Sequence, residues 1–178
     1  IAGVDYTANY APVINDVTWR IMMVAMIALK LAGKIIDVET AFLHGDLEEE
    51  IYMDCPEGLA EATGQTISNQ EYCLELKQSC YGLVQSARQF WKKAIEVLTK
   101  MGFQGGYPDP CLMKRKDKRG IVFIALYVDD CLCIGDRKAI DSLEQEFNDN
   151  GFKVKVDEHL TDYLSCEIQK SEDGKSLT

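Results

Sequence analysis

Two apolar runs, Ile121–Leu126 and Cys131–Ile134, flank the tetrapeptide Tyr127-Val128-Asp129-Asp130. Runs of this length and apolarity read as strands, and the acids between them mark a tight hairpin turn. An Asp-Asp pair taken alone is an ordinary polar turn, because Asp is a favoured turn residue. A third acid changes the reading. Asp37 lies near the end of Lys34–Val38, another short run rich in Ile and Val. If these strands are neighbours in one sheet, the carboxylates of Asp37, Asp129 and Asp130 converge. Like charges so placed repel unless a cation sits between them. Oxygen donors without Cys or His point to Mg²⁺ or Mn²⁺.

The rest of the chain supplies elements to carry such a site. Val17, Ile21, Val24, Ala28 and Leu31 recur at three- and four-residue spacing, which predicts an amphipathic helix within Val13–Leu31. Asn15 or Asp16 is its expected cap, and Gly33 its expected stop. Residues 39–46 read as a turn or helical turn closed by Gly45. Ile51–Met53 and Tyr72–Leu76 read as short strands, with a loop over 56–70. Ser86–Met101 is the strongest helix, with Phe90, Trp91, Ala94, Ile95 and Leu98 on one face and Gly102 as its stop. Leu112–Lys114 pairs with Ile121–Val128 around a charged tip at 116–120. Asp136 is expected to cap a helix over 137–149 with Ile140, Leu143 and Phe147 inward. Phe152–Val156 and Tyr163–Gln169 are expected to close the chain as strands. The main elements run strand, helix, strand, strand, helix, strand. That is the order of a ferredoxin-like α+β unit, an antiparallel sheet with two helices on one face. Many functions share that architecture, so it does not by itself assign one.

Composition narrows the classes. The chain has 178 residues, 47% of them hydrophobic and 27% charged, enough for a real core. Its longest apolar run, Ile21–Leu29, is far short of the ~20 residues that span a bilayer, so no membrane partner is expected. Seven Cys without a CxxC pair read as reduced thiols in an intracellular setting. Cys131 and Cys133 share one strand face and read as packing. His44 and His159 lack zinc-ligand spacing. The net charge of -10 opposes tight template binding by this region alone, since duplex affinity comes largely from Lys and Arg. The run Lys114-Arg115-Lys116-Asp117-Lys118-Arg119 reads as a solvated hairpin tip, and Glu48-Glu49-Glu50 as a solvent face. The chain begins at Ile1 without a Met, as expected of a piece cut from a longer polyprotein.

Several stretches together resemble the reverse transcriptase domain of copia-type LTR retrotransposons. They are Gly3-Val4-Asp5-Tyr6 with Tyr10-Ala11-Pro12-Val13, then IIDVETAFLHGDLEEEIYMDCPEGL from Ile35, LKQSCYGLVQSARQFW from Leu76, LYVDD from Leu126 and DYLSCEI from Asp162. They run in family order over nearly the whole chain. The resemblance implies a palm over 34–178, with a fingers-side helix region over 1–33. It implies an RNA- or DNA-directed DNA polymerase that transfers nucleotides from dNTPs to a primer 3′-hydroxyl with two Mg²⁺ ions. Asp37 and Asp129 match the principal metal-binding acids, and Asp130 an accessory one. Val38, Thr40 and Ala41 match positions whose backbone lines the nucleotide phosphates. Phe42 matches the bulky residue under the sugar, where a ring excludes a 2′-hydroxyl. Tyr81 and Gly82 match the segment beside the nascent base pair and template.

The implied partners are template and primer, dNTPs, and the rest of a Pol polyprotein with its thumb, RNase H and integrase. The implied location is a cytoplasmic virus-like particle with access to the nucleus. Three positions depart from the family pattern. Val84 stands where Lys is usual, Ala87 where Pro is usual, and Ser165 where Gly is usual in the last motif. These keep open a second reading, a decayed or co-opted palm that binds nucleic acid or protein without catalysis.

Overall fold

Residues 9–64, 71–105, 108–169 and 171 are described in the computed structural model. The Gly3-Val4-Asp5-Tyr6 stretch lies outside them. In chain order the elements are α1 (Asp16–Ala28), β1 (Ala32–Val38), a 3₁₀ turn (Ala41–His44), β2 (Asp46–Met53), α2 (Leu59–Thr63), β3 (Leu74–Gln78), α3 (Ser86–Lys100), β4 (Gln104–Gly105), β5 (Leu112–Asp117), β6 (Gly120–Tyr127), β7 (Asp130–Gly135), α4 (Arg137–Asp141), α5 (Leu143–Asp149), β8 (Val154–Asp157), β9 (Asp162–Tyr163) and β10 (Cys166–Glu167).

The protein is a mixed α/β fold built on antiparallel sheets. Six strands form one sheet in the order β4-β5-β6-β7-β1-β8, with every neighbouring pair antiparallel. Two smaller sheets pair β2 with β3 and β9 with β10. Side chains alternate across a strand, so registered partners share a face. Ile124, Leu126, Ile36, Cys131 and Cys133 therefore point one way, towards α3, α4 and α5. Phe123, Ala125, Leu132, Ile134 and Gly33 point the other way, towards α1. Both faces are covered over β6 and β7, which explains their nearly continuous apolar sequence. Cys131 and Cys133 are buried packing residues.

The outer face of α1 differs from the expectation. Trp19, Met22, Met23 and Met26 are buried, whereas Val17, Ile21 and Val24 are 62–69% exposed. The helix is apolar on nearly every side, so periodicity cannot choose which side meets the sheet. Tertiary contacts choose it. Trp19 meets Tyr163 edge-on at 5.6 Å, and Met26 lies over Gly33. Asn15 is the cap, its Oδ1 accepting from Val17 N at 2.9 Å. Gly33 is not the stop. Lys30 turns the chain with φ 54°, while Leu31 N donates to Met26 O. Gly33 belongs to β1, where an added Cβ would stand 2.6 Å from Leu160 Cδ1 and 2.7 Å from Met26 Sδ.

Other boundaries also shift. α3 ends as expected at Gly102, which has φ 86°, with Phe103 N donating to Leu98 O. The helix expected over 137–149 breaks at Ser142, whose hydroxyl donates to Ala139 O. The Asp136 side chain does not cap it; Oδ2 accepts instead from Ile121 N at 2.7 Å. The loop expected over 56–70 contains α2, and its 65–70 portion lies outside the described residues. The last expected strand is a hairpin, with Leu164 and Ser165 at φ 52° and 61° between β9 and β10.

The charged hairpin tip is only partly solvated. Arg115 is buried and forms a bidentate pair with Glu146 of α5. Arg119 joins it, donating to Glu146 Oε1 at 2.6 Å and to Asp117 Oδ2 at 2.6 Å. This network ties the β5–β6 hairpin to the helical layer. Lys34 plays a similar part, reaching Glu158 at 3.1 Å and Asp141 at 3.4 Å.

Candidate active site

The position of β1 between β7 and the edge strand β8 makes the site. In its antiparallel pairing with β7, Asp37 stands opposite Asp130. On its other side, paired with β8, Asp37 stands opposite Lys155. Tyr127 pairs with Asp130, which leaves Val128 and Asp129 as a two-residue turn. Val128 has φ 52°. Positive φ at the first turn residue is what a type II′ hairpin requires, and a β-branched side chain there is strained by roughly 1–2 kcal/mol. The turn is held against β1 by Val38 N, which donates to Asp129 O at 3.0 Å.

Asp37 and Asp130 line one cavity of about 270 Å³ together with Lys155, Asp157, Asp162 and Tyr163. Asp129 does not line it; it approaches from the turn. Burial is the main cause that raises the Asp37 carboxyl above its ordinary value, followed by the charge of Asp129, with Lys155 opposing. Burial likewise raises Asp130, followed by the charges of Asp129, Asp37 and Asp162. The three acids predicted from sequence therefore share one electrostatic neighbourhood. Among the described residues, no group of three or more His, Cys, Asp or Glu is close enough to hold a metal ion.

Beyond Val38 the chain enters the 3₁₀ turn. Val38 and Ala41 are buried, and Thr40 precedes the turn with φ 53°. Val38 N is engaged by Asp129 O and Glu39 N by Lys153 O. The first N–H groups of a helical turn have no partner within it, which leaves Thr40 and Ala41 to present theirs. The carbonyl of Phe42 is pinned by the Ser79 hydroxyl and by Gly45 N. The Phe42 ring packs against Tyr81 with centroids 4.9 Å apart. Gly82, with φ 100°, turns the chain directly after Tyr81. Phe42, Tyr81 and Gly82 are thus brought together by the 3₁₀ turn and the loop after β3.

Sequence reasoning missed Lys155, Asp162 and Ser79. Lys153 and Lys155 at strand spacing were legible as one polar face, but their alignment with Asp37 depends on register. Ser79 is buried within the stretch from Leu76; its hydroxyl's partner, Phe42 O, is 37 residues away.

A family model described as "Reverse transcriptase (RNA-dependent DNA polymerase)" matches residues 1–178. The chain belongs to the reverse transcriptase family. The relatives of this reverse transcriptase domain are copia-type retrotransposon Pol polyproteins. It is 37% identical over 139 residues to the Retrovirus-related Pol polyprotein from transposon TNT 1-94 of Nicotiana tabacum, covering 78% of this chain and 10% of the relative. It is 29% identical over 181 residues to the Pol polyprotein from transposon RE2 of Arabidopsis thaliana, covering 99% of this chain and 12% of the relative. A putative transposon Ty5-1 protein of Saccharomyces cerevisiae is 32% identical over 141 residues, covering 78% of this chain and 44% of that protein. The domain thus spans about a tenth of the length of the first two. No solved structure matches it.

Proposed function

We propose that this domain is the catalytic palm, with part of the fingers, of an RNA- or DNA-directed DNA polymerase. In this reading it transfers nucleotides from dNTPs to a primer 3′-hydroxyl on an RNA or DNA template. The observation that carries the proposal is the registered pair Asp37–Asp130 with Asp129 on the turn beside it. The topology supports the ferredoxin-like assignment. Taking β1, β6, β7 and β8 as the four strands of that unit, their order in the sheet is second, third, first, fourth. The helical layer of α3, α4 and α5 backs this sheet. Residues 1–33 would then form the fingers-side region and 34–178 the palm.

The donor chemistry fits hard divalent cations, because the acids offer only oxygen and repel one another without a cation. Asp37, Asp129 and Asp130 would hold two Mg²⁺ ions, with Mn²⁺ as a substitute. When bound, such ions activate the primer hydroxyl and neutralise the triphosphate and leaving pyrophosphate. The chain's own residues bind and orient. Asp37 and Asp130 are fixed on rigid neighbouring strands, and the strained Val128 turn aims Asp129. Thr40 and Ala41 would offer backbone N–H groups to the nucleotide phosphates, and Val38 would hold the acid turn in place. Phe42, with its carbonyl anchored and its ring braced by Tyr81, would sit under the sugar and exclude a 2′-hydroxyl. Gly82 would let the chain pass close to the template.

Primer extension by the parent polyprotein tests the proposal. Wild type should extend a primed template with Mg²⁺, and Asp37→Asn and Asp129→Asn should each abolish extension. Undiminished extension by either variant would refute the assignment. Absence of extension by wild type would favour a decayed palm.

A further inference from the structure

α1 is apolar on two sides, and only one is covered among the described residues. Trp19, Met22, Met23 and Met26 face the sheet. Val17, Ile21 and Val24, with Leu29 just past the helix, are 62–69% exposed. A helix that is hydrophobic all round belongs in an interior, and a contiguous exposed apolar patch marks an interaction surface. Beside this stripe lies a groove of about 1000 Å³, walled by Val17, Ile21 and Leu29 and floored by Leu112, Phe123 and Ile134.

We propose that this groove docks an apolar segment of the parent Pol polyprotein from outside residues 1–178. The inference rests on the Pol context and not on catalysis. The domain covers only 10% and 12% of the TNT 1-94 and RE2 polyproteins, so most of such a chain is available as the occupant. A second copy is disfavoured, because two chains of net charge -10 repel. An anionic membrane is disfavoured on the same ground. A tethered segment has an effective concentration that reaches the order of mM over a short linker, so a modest apolar contact suffices. The fitting segment carries aliphatic or aromatic side chains at helix or strand spacing and few charges.

Photo-crosslinking in the full-length polyprotein tests this. With Ile21→benzoylphenylalanine, at an exposed residue on the groove wall, the crosslink should map to a peptide outside residues 1–178, with a yield independent of protein concentration. A crosslink confined to residues 1–178, one between copies that grows with concentration, or none at all would overturn the proposal. A second variant guards against perturbation by the probe. In the same polyprotein, Ile21→Cys should alkylate at least about tenfold more slowly than Lys118→Cys at the exposed hairpin tip. Equal rates would overturn it.

Discussion

Asp37 faces Asp130 across one strand junction and Lys155 across the other. Burial raises the Asp37 pKa most, followed by the charge of Asp129; Lys155 opposes them but leaves the net shift upward, and the charge of Asp37 in turn helps raise Asp130. β1 therefore holds a carboxylate between a repulsive and an attractive neighbour. Lys155 offsets only part of the repulsion, which leaves a cation something to gain by binding.

Removing the charge of Asp129 should relieve both neighbours. The Asp37 and Asp130 carboxyls titrate above their ordinary value of 3.8. Between that value and the folded value, the folded chain holds more protons than the unfolded chain. Their unfavourable contribution is therefore absent at low pH, grows as pH rises above about 3.8, and is complete above the folded pKa. Asp129→Asn should melt at the same or a higher temperature than wild type at neutral pH, by up to the order of 0.5 kcal/mol. The difference should vanish towards pH 3. Mg²⁺ at ten times its dissociation constant should stabilise wild type by about 1.4 kcal/mol and the variant by much less. Thermal melts with and without Mg²⁺ across this pH range measure both effects. Equal Mg²⁺ stabilisation of both proteins would place the ion elsewhere.

On the proposed polymerase function, Phe42→Val should raise ribonucleotide use by the full-length polyprotein. The smaller side chain removes the ring that Tyr81 braces at 4.9 Å, and with it the clash proposed for a 2′-hydroxyl. The readout is the ratio of kcat/KM for ribo- and deoxynucleotides. An unchanged ratio with activity retained would make Phe42 a packing residue.

Glu146→Gln should be among the more damaging single changes outside the acid cluster. Burial pushes the Glu146 carboxyl up, but the hydrogen bonds from Arg115 and the charges of Arg115 and Arg119 overcome it, so the net pKa is lowered. Its stabilising contribution is therefore present above the ordinary value of 4.5 and is lost as pH falls through the folded value. The amide leaves the buried Arg115 with the Met101 carbonyl at 2.9 Å and, as its remaining carboxylate among the described residues, Asp117 at 3.5 Å. Denaturant unfolding at neutral pH should show a loss of about 2–4 kcal/mol, shrinking as pH falls below 4.5. A loss that does not change with pH would show that packing, not charge, is at stake.

Ser165→Gly should stabilise the protein. Leu164 and Ser165 both have positive φ in the β9–β10 turn, as a type I′ turn demands and as Gly favours. Relief of left-handed strain, roughly 1–2 kcal/mol, exceeds the added entropy cost of Gly, roughly 0.5–1 kcal/mol. A net gain of up to about 1 kcal/mol in chemical denaturation is expected. A loss would mean that the Ser side chain makes a contact worth more than the strain.

Local chemistry alone determined a good part of this protein. The apolar runs around Asp129-Asp130 had to become a hairpin, because neither strand can expose its side chains and the acids cannot be buried with them. Gly102 had to end α3, because only Gly turns left-handed without strain. The ordered motifs identified the family. Tertiary structure decided what periodicity leaves degenerate. α1 has two apolar stripes with the same spacing, and only the fit of Trp19 to Tyr163 and of Met26 over Gly33 selects the inner one. Arg115 looks like one more charge on a hairpin tip until α5 brings Glu146 to it. The pairing of Asp37 with both Asp130 and Lys155 depends on the register of three strands far apart in the chain. Register is set by how whole faces pack, so no local window of sequence contains it.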